Sequence, residues 1–408
     1  AGGIIGYATD RPVTMAAFAL SGKLYVADFA AGLTPRLIDT QGAVIDPRPD
    51  PHGRRVAFVS GGALHVHELA PRSTTTLVEP DGAQVSFGLA EFVAAEEMER
   101  MRGYWWSPDG DALLVARVDE APVTRWHIAD PAHPDRQPAV VAYPAAGTPN
   151  AAVTVEIVTL GGARTPVRWS GEYLAAAGWD ATGPRIVVQT RDQRGVEVLA
   201  VDPATGATSS LDERTDPLWV DLVGGIPAYT AGGVMVGVAD VDGVRRLTAD
   251  DEPVSPPSLQ VREVLDVDGD TVLFRAHAEP ASVGLWTWGP DGVTELTPGP
   301  GVHTGRLVGG TLVVTGQDLD SDGTTTTVVR DGVSRTIESF AAEPGLVPRV
   351  QLLRVGTREL SAAVLLPSWH EPGTPLPVLM DPYGGPHAQR VVAARAVHLT
   401  SQWFAEQG

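Results

Sequence analysis

The 408-residue sequence has no cysteine, which excludes disulfides, zinc–thiolate sites and a cysteine nucleophile. Lysine is almost absent as well. Lys23 is the single example, and every other basic side chain is arginine. No run of 18 apolar residues occurs, so no segment reads as a membrane-spanning helix. The start, Ala1-Gly-Gly-Ile-Ile-Gly6, lacks the charged and long apolar regions of a signal peptide and reads like the interior of a domain. Positive charge is scarce, with 30 basic against 50 acidic residues and a net charge of −20, which argues against nucleic acid as a partner. Residues 341–408 carry five acids and five arginines, so the whole excess lies in residues 1–340. Such a field serves solubility, and it also attracts cationic ligands such as peptide N-termini.

What the sequence has in quantity is turns. Its 45 glycines and 34 prolines are spread along the chain. A unit recurs in which a turn precedes short runs of β-branched and apolar residues. Asp50-Pro-His-Gly53 leads into Arg55-Val-Ala-Phe-Val59 and Ala63-Leu-His-Val-His-Glu-Leu69. Ser107-Pro-Asp-Gly110 leads into Ala112-Leu-Leu-Val-Ala116, and Asp180-Ala-Thr-Gly183 into Arg185-Ile-Val-Val-Gln189 and Val196-Glu-Val-Leu-Ala-Val201. Asp266-Val-Asp-Gly269 leads into Thr271-Val-Leu-Phe274, and Gly309-Gly310 into Thr311-Leu-Val-Val-Thr315. Pro and Gly fix the turns, and the runs have strand length. Units without an insertion start about 40 residues apart, the period of a propeller blade. A blade cannot bury both faces alone, and stacking blades solves that. The predicted fold class is an all-β propeller of seven to eight blades over residues 1–340, with insertions near residues 84–104 and 119–170.

After Phe340 the pattern changes. Val350-Gln-Leu-Leu-Arg-Val355 and Leu360-Ser-Ala-Ala-Val-Leu-Leu-Pro367 read as a hairpin. Leu376-Pro-Val-Leu-Met380 is wholly apolar and predicts a strand buried on both faces. The spacing from Ala394 to Gln407 suits a helix. Residues 341–408 therefore read as a second unit of strands and a helix, which by the resemblance of its Tyr383-Gly-Gly-Pro loop to that of prolyl-oligopeptidase-type hydrolases is the beginning of an α/β-hydrolase domain.

Two stretches carry chemistry. The first is Glu91-Phe-Val-Ala-Ala-Glu-Glu97-Met-Glu-Arg100-Met-Arg-Gly-Tyr-Trp-Trp106. Adjacent carboxylates such as Glu96 and Glu97 are ordinarily a solvated helical face. Their place in an insertion, just before a Trp-Trp blade start, resembles the double-glutamate motif of the dipeptidyl peptidase IV family of prolyl-oligopeptidase-type serine peptidases. Its form is similar to that of the cytosolic dipeptidyl peptidase 8 and 9 branch. The resemblance implies that Glu96 and Glu97 bind the substrate's free N-terminal amine. An ammonium group has three donors, and two carboxylates can hold it by charge-assisted bonds. Either Arg100 or Arg102 is available to orient the substrate backbone.

The second stretch is Asp381-Pro-Tyr-Gly-Gly-Pro-His387-Ala-Gln-Arg390. Alone, it is a tight turn with an aromatic. By the resemblance it is the oxyanion loop after the third strand of the hydrolase sheet, with the Tyr383 hydroxyl as one donor and a backbone N–H as the other. His387 is rejected as a triad base, because the family order is Ser, Asp, His. No Gly-x-Ser-x-Gly occurs. The nucleophile, acid and base are expected after residue 408, and strands completing an eighth blade are expected before residue 1. The 408 residues alone are expected to be inactive.

The remaining candidates are weaker. His65 and His67 share a strand face but lack a third ligand. Asp318-Leu-Asp-Ser-Asp-Gly323 superficially resembles a calcium loop and is read as a turn. No metal and no cofactor are expected. The function implied by the resemblance is a serine exopeptidase that releases X-Pro or X-Ala dipeptides from peptides with a free N-terminus, the propeller gating access. A cytoplasmic location goes with it, and a homodimer stays open. The alternatives are a related aminopeptidase or acylaminoacyl peptidase, which the glutamate pair disfavours, and a propeller that only binds peptides.

Overall fold

The computed structural model describes residues 3–32, 34–180, 182–385 and 388–408. Seven antiparallel sheets of blade type follow one another along the chain, over residues 8–38, 45–78, 85–166, 173–215, 228–253, 260–295 and 302–337. Six have four strands and the third has five. Contacts divide the chain into two compact units, Ala1–Leu222 with the first four blades and Val223–Gly408 with the other three. Among the described residues no helix is long and apolar enough to cross a membrane.

The five turns flagged in the sequence occupy one position in their blades, between the first and second strands. Asp50–Gly53 joins Ile45–Pro49 to Arg55–Ser60, and Ser107–Gly110 joins Arg102–Trp106 to Ala112–Asp119. Each blade thus begins one strand earlier than the repeated unit suggests. The first strands are hard to read because several are irregular. Ile45–Pro49 contains two prolines and a register shift, and Gln260–Asp268 has two register shifts.

The turn itself has a repeated physical basis. The buried Asp50 carboxylate accepts hydrogen bonds from the backbone N–H of Arg54 (2.6 Å) and Arg55 (2.9 Å). Asp10 does the same for Thr14 (2.7 Å) and Met15 (3.0 Å). The glycine of the next turn sits on that carboxylate. A Cβ at Gly53 (φ 65°) would lie 2.8 Å from Asp10 Oδ2, and one at Gly110 (φ 73°) would lie 2.9 Å from Asp50 Oδ2. Each of these glycines therefore serves a left-handed turn and the close approach of consecutive blades.

The core lies between blades. One cluster joins Val59, Leu64 and Val66 of the second blade to Phe87, Tyr104, Trp106 and Leu113 of the third. Another joins Trp105, Leu114 and Ile157 of the third to Leu174, Ile186 and Leu199 of the fourth. Successive side chains of a strand point to opposite faces. Trp105 and Trp106 therefore fill two different blade interfaces, which accounts for the Trp-Trp pair.

In the second unit the hairpin forms as Val350–Val355 and Leu360–Leu365. A short 3-10 helix, Arg395–His398, runs into the helix Leu399–Glu406 where helical spacing was read. The strand predicted over Leu376–Met380 does not form. These residues are irregular, and Val378, Leu379 and Met380 are 80%, 71% and 74% exposed. An apolar central strand needs paired neighbours, and among the described residues the nearest sheet in sequence is the two-stranded hairpin. The Asp318–Gly323 segment makes the expected turn. The Asp318 carboxylate accepts from the N–H of Asp320 (2.8 Å) and Ser321 (2.7 Å), and Arg395 is docked on the Leu319 carbonyl (3.0 Å) and on Asp322 (3.1 Å). His65 and His67 each bond a threonine, Thr76 (3.2 Å) and Thr74 (2.9 Å).

Candidate functional site

Both insertions lie in the third blade, and one of them interrupts its first strand. Val85–Leu89 and Arg102–Trp106 both pair with Ala112–Asp119, and the chain between them makes the helix α1, Phe92–Glu97. The two half-strands cross at Gly88 and Gly103. A Cβ at Gly103 would lie 2.3 Å from the Leu89 backbone nitrogen, so only glycine allows this crossing. The second insertion is a hairpin, Arg125–Ile128 with Ala139–Ala142. Just beyond it Tyr143 meets Trp126 edge-on at 4.9 Å and Phe92 at 5.3 Å. The hairpin thereby braces the first turn of α1.

A buried ion pair holds the other side. Glu91 precedes α1 and does not cap it, because its carboxylate is engaged by Arg100 Nη2. Arg100 Nε donates to the Leu174 carbonyl (2.8 Å), beside a register shift in the fourth blade, and Nη1 donates to the Arg102 carbonyl (2.7 Å). Burial pushes the Arg100 guanidinium below its ordinary pKa, and Glu91 beside it acts in the opposite direction. Buried, and with each of its three guanidinium nitrogens bonded inside the protein, Arg100 positions α1 and does not face a substrate. Of the two arginines considered from the sequence, Arg102, which is half-buried, remains the candidate for the substrate backbone. The role of Glu91 had no signal in the sequence, because a partnership across nine residues and a helix has no spacing rule.

Breaking a buried pair by removing one partner costs about 3–5 kcal/mol. Arg100→Met is therefore expected to lower the denaturant midpoint strongly. Glu91→Leu combined with Arg100→Met should recover much of the loss, because no unpaired charge stays buried. A single mutant that unfolds like the wild type would show that the pair does not hold α1.

Glu96 and Glu97 end up exposed in the last turn of α1. The chain turns back at once. Glu99 has φ 54°, and the N–H groups of Met98 (3.2 Å) and Arg100 (3.0 Å) both reach the Ala94 carbonyl. The position is locally unfavourable for acids. Carboxylates at a helix C-terminus oppose the macrodipole by about 0.3–1 kcal/mol each, and no basic residue occupies this last turn. Two adjacent negative charges facing the negative end of a helix complement one kind of ligand, a cation. Local disagreement of this type is expected at functional sites.

Tyr383 lies in the other unit and is 43% exposed. The Arg390 guanidinium is 5.8 Å from its ring centre and also pairs with Asp381 at 3.3 Å. A Cβ at Gly385 would lie 2.5 Å from the Tyr383 hydroxyl, so the glycine leaves room for the ring to fold back. His387 lies outside the described residues.

A family model described as "Dipeptidyl peptidase IV (DPP IV) N-terminal region" matches residues 17–276. Mouse (Mus musculus) dipeptidyl peptidase 8 is 27% identical over 210 residues, covering 42% of this chain and 23% of the relative. Dipeptidyl aminopeptidase B of Saccharomyces cerevisiae is 28% identical over 106 residues, covering 24% of this chain and 13% of the relative. The chain therefore spans only a minor part of the curated relatives it matches. A crystal structure of Porphyromonas gingivalis dipeptidyl peptidase 4 superposes with a TM-score of 0.81 at 19% identity, covering 99% of this chain and 63% of that one. The fold is an all-β propeller followed by part of an α/β-hydrolase domain. Its family model covers well over half of the sequence, and the chain belongs to the dipeptidyl peptidase IV family.

Proposed function

We propose that the protein is a serine exopeptidase that releases N-terminal dipeptides, of X-Pro or X-Ala type, from peptides with a free N-terminus. The observation that carries this reading is the exposed Glu96–Glu97 pair in the last turn of α1. The charge of that turn suits a cation, and Arg100 and the aromatic brace hold the helix that carries it. A peptide ammonium is a cation with three donors, and two carboxylates satisfy it. A blocked terminus has neither the charge nor the donors. Anchoring the terminus fixes how far into the substrate the cleavage falls.

Tyr383 supplies an oxyanion donor in this reading. The propeller, residues 1–340, gates access, and residues 341–408 open the peptidase domain. With no Gly-x-Ser-x-Gly in the 408 residues, the nucleophile, acid and base are assigned to sequence outside them. A cytoplasmic location belongs to the same reading and rests on the resemblance to the dipeptidyl peptidase 8 and 9 branch.

The test uses the full-length protein with a Gly-Pro chromogenic amide and its N-acetylated form. Hydrogen bonds to charged groups contribute about 1.5–3 kcal/mol each, so the free amine should be preferred by about two decades or more in kcat/KM. Equal turnover of both forms would sink the assignment.

A further inference from the structure

The second unit contains a cleft of about 540 Å³ that the proposed reaction does not use. It lies at one end of the fifth and sixth blades. Among its lining residues are Arg245, Arg262, His277, Gln260, Ser258 and Gln389, and among the described residues no Asp or Glu lines it. That is unusual in a chain of 50 acidic residues and net charge −20.

The local structure explains how the cations come to be there. Val261 pairs with Ala276 and Glu263 with Arg275, so Arg262 is the extra residue of a β-bulge. A bulge re-aims the side chain it carries. Arg262 Nε donates to His277 Nδ1 (3.1 Å), and Nη2 donates to Gln389 Oε1. Accepting at Nδ1 leaves the His277 proton on Nε2, a further donor of a residue that lines the cleft. Burial, and then the Arg262 charge, hold the His277 pKa down at about 4, so the ring is neutral around pH 7.

Arg262 itself is only partly exposed, and its pKa is lowered by burial and by the charges of Arg275 and Arg245. Its neighbours are already committed. Arg275 pairs with Glu263 at 2.5 Å, and Arg245 lies 3.5 Å from Asp240. Among the described residues no carboxylate lies within ion-pair distance of Arg262. A partly buried guanidinium held in place by two neutral acceptors, with no carboxylate of its own among the described residues, is an uncompensated positive charge. A guanidinium fork matches the two oxygens of a carboxylate or phosphate.

We propose that this cleft binds a small oxyanion, a phosphate or carboxylate group, on Arg262 with the His277 Nε2–H alongside. The test titrates the full-length protein with sodium phosphate and, separately, with sodium succinate, against sodium chloride at matched ionic strength. Saturable binding by calorimetry, with a rise in Tm over chloride, is the expected result. The stronger of the two titrations identifies the ligand as phosphate or carboxylate. Arg262→Gln should weaken binding at least about tenfold, the loss of one charge-assisted contact. Should that variant lose stability, Ser258→Asp places a carboxylate at an exposed position on the same cleft and should repel the anion with the fold intact. No saturable binding of either salt, or wild-type binding by both variants, overturns the proposal.

Discussion

In the proposed peptidase, replacing Tyr383 by Phe in the full-length protein is expected to lower kcat by about 10²–10³ with little change in KM. The substitution removes one hydroxyl and leaves the ring in its place against Arg390 and over Gly385. An oxyanion donor acts on charge that develops only in the transition state, so its loss raises the barrier and leaves ground-state binding almost unchanged. Because the Tyr383 ring is 43% exposed in this structure, a fold-stability effect should be small. Unfolding midpoints of mutant and wild type should therefore coincide, and steady-state kinetics should carry the whole difference. A mutant with wild-type kcat removes Tyr383 from the mechanism. A rise in KM at constant kcat would make it a binding residue.

The sequence and the structure agree most where a rule is local and periodic. The turn at Asp50–Gly53 was legible because Asp, Pro and Gly each have a specific backbone reason to be there. The second and third strands of the blades were legible because Arg55–Ser60 or Gly195–Val201 is a short run rich in β-branched and apolar residues. The first strands were not, because proline and bulges break their alternation, as in Ile45–Pro49. Leu376–Met380 has the composition of a buried strand but stays irregular and exposed here, since composition states a preference and pairing decides the outcome. The glutamate pair was visible as an oddity of charge. The clamp that positions it was not, because Arg100 reaches 74 residues along the chain to the Leu174 carbonyl. The bulged Arg262 was equally invisible, since a bulge belongs to a pair of strands and to neither one alone.

Glu96→Gln and Glu97→Gln, each in the full-length enzyme, are expected to lower kcat/KM by roughly one to two decades. Each change removes a charge and keeps an acceptor oxygen, and a hydrogen bond to a charged group contributes about 1.5–3 kcal/mol. The two losses should not add, because in the proposed reaction both residues share one ammonium group. Stability should move the other way or not at all. Both residues are exposed, stand side by side with like charge, and end a helix whose last turn contains no basic residue. Neutralising Glu96 relieves repulsion and the opposition to the helix dipole. Reduced activity together with unchanged or slightly raised Tm is thus the signature of a ligand site, whereas a solvated surface pair predicts unchanged kinetics. The decisive comparison is made on the double Gln mutant with a free dipeptide amide and its N-acetylated form. It should lose most of the wild-type preference for the free amine, chiefly by turning over the free form more slowly. A double mutant that keeps the full preference shows that the amine is recognised elsewhere, and the acidic end of α1 would then be surface charge alone.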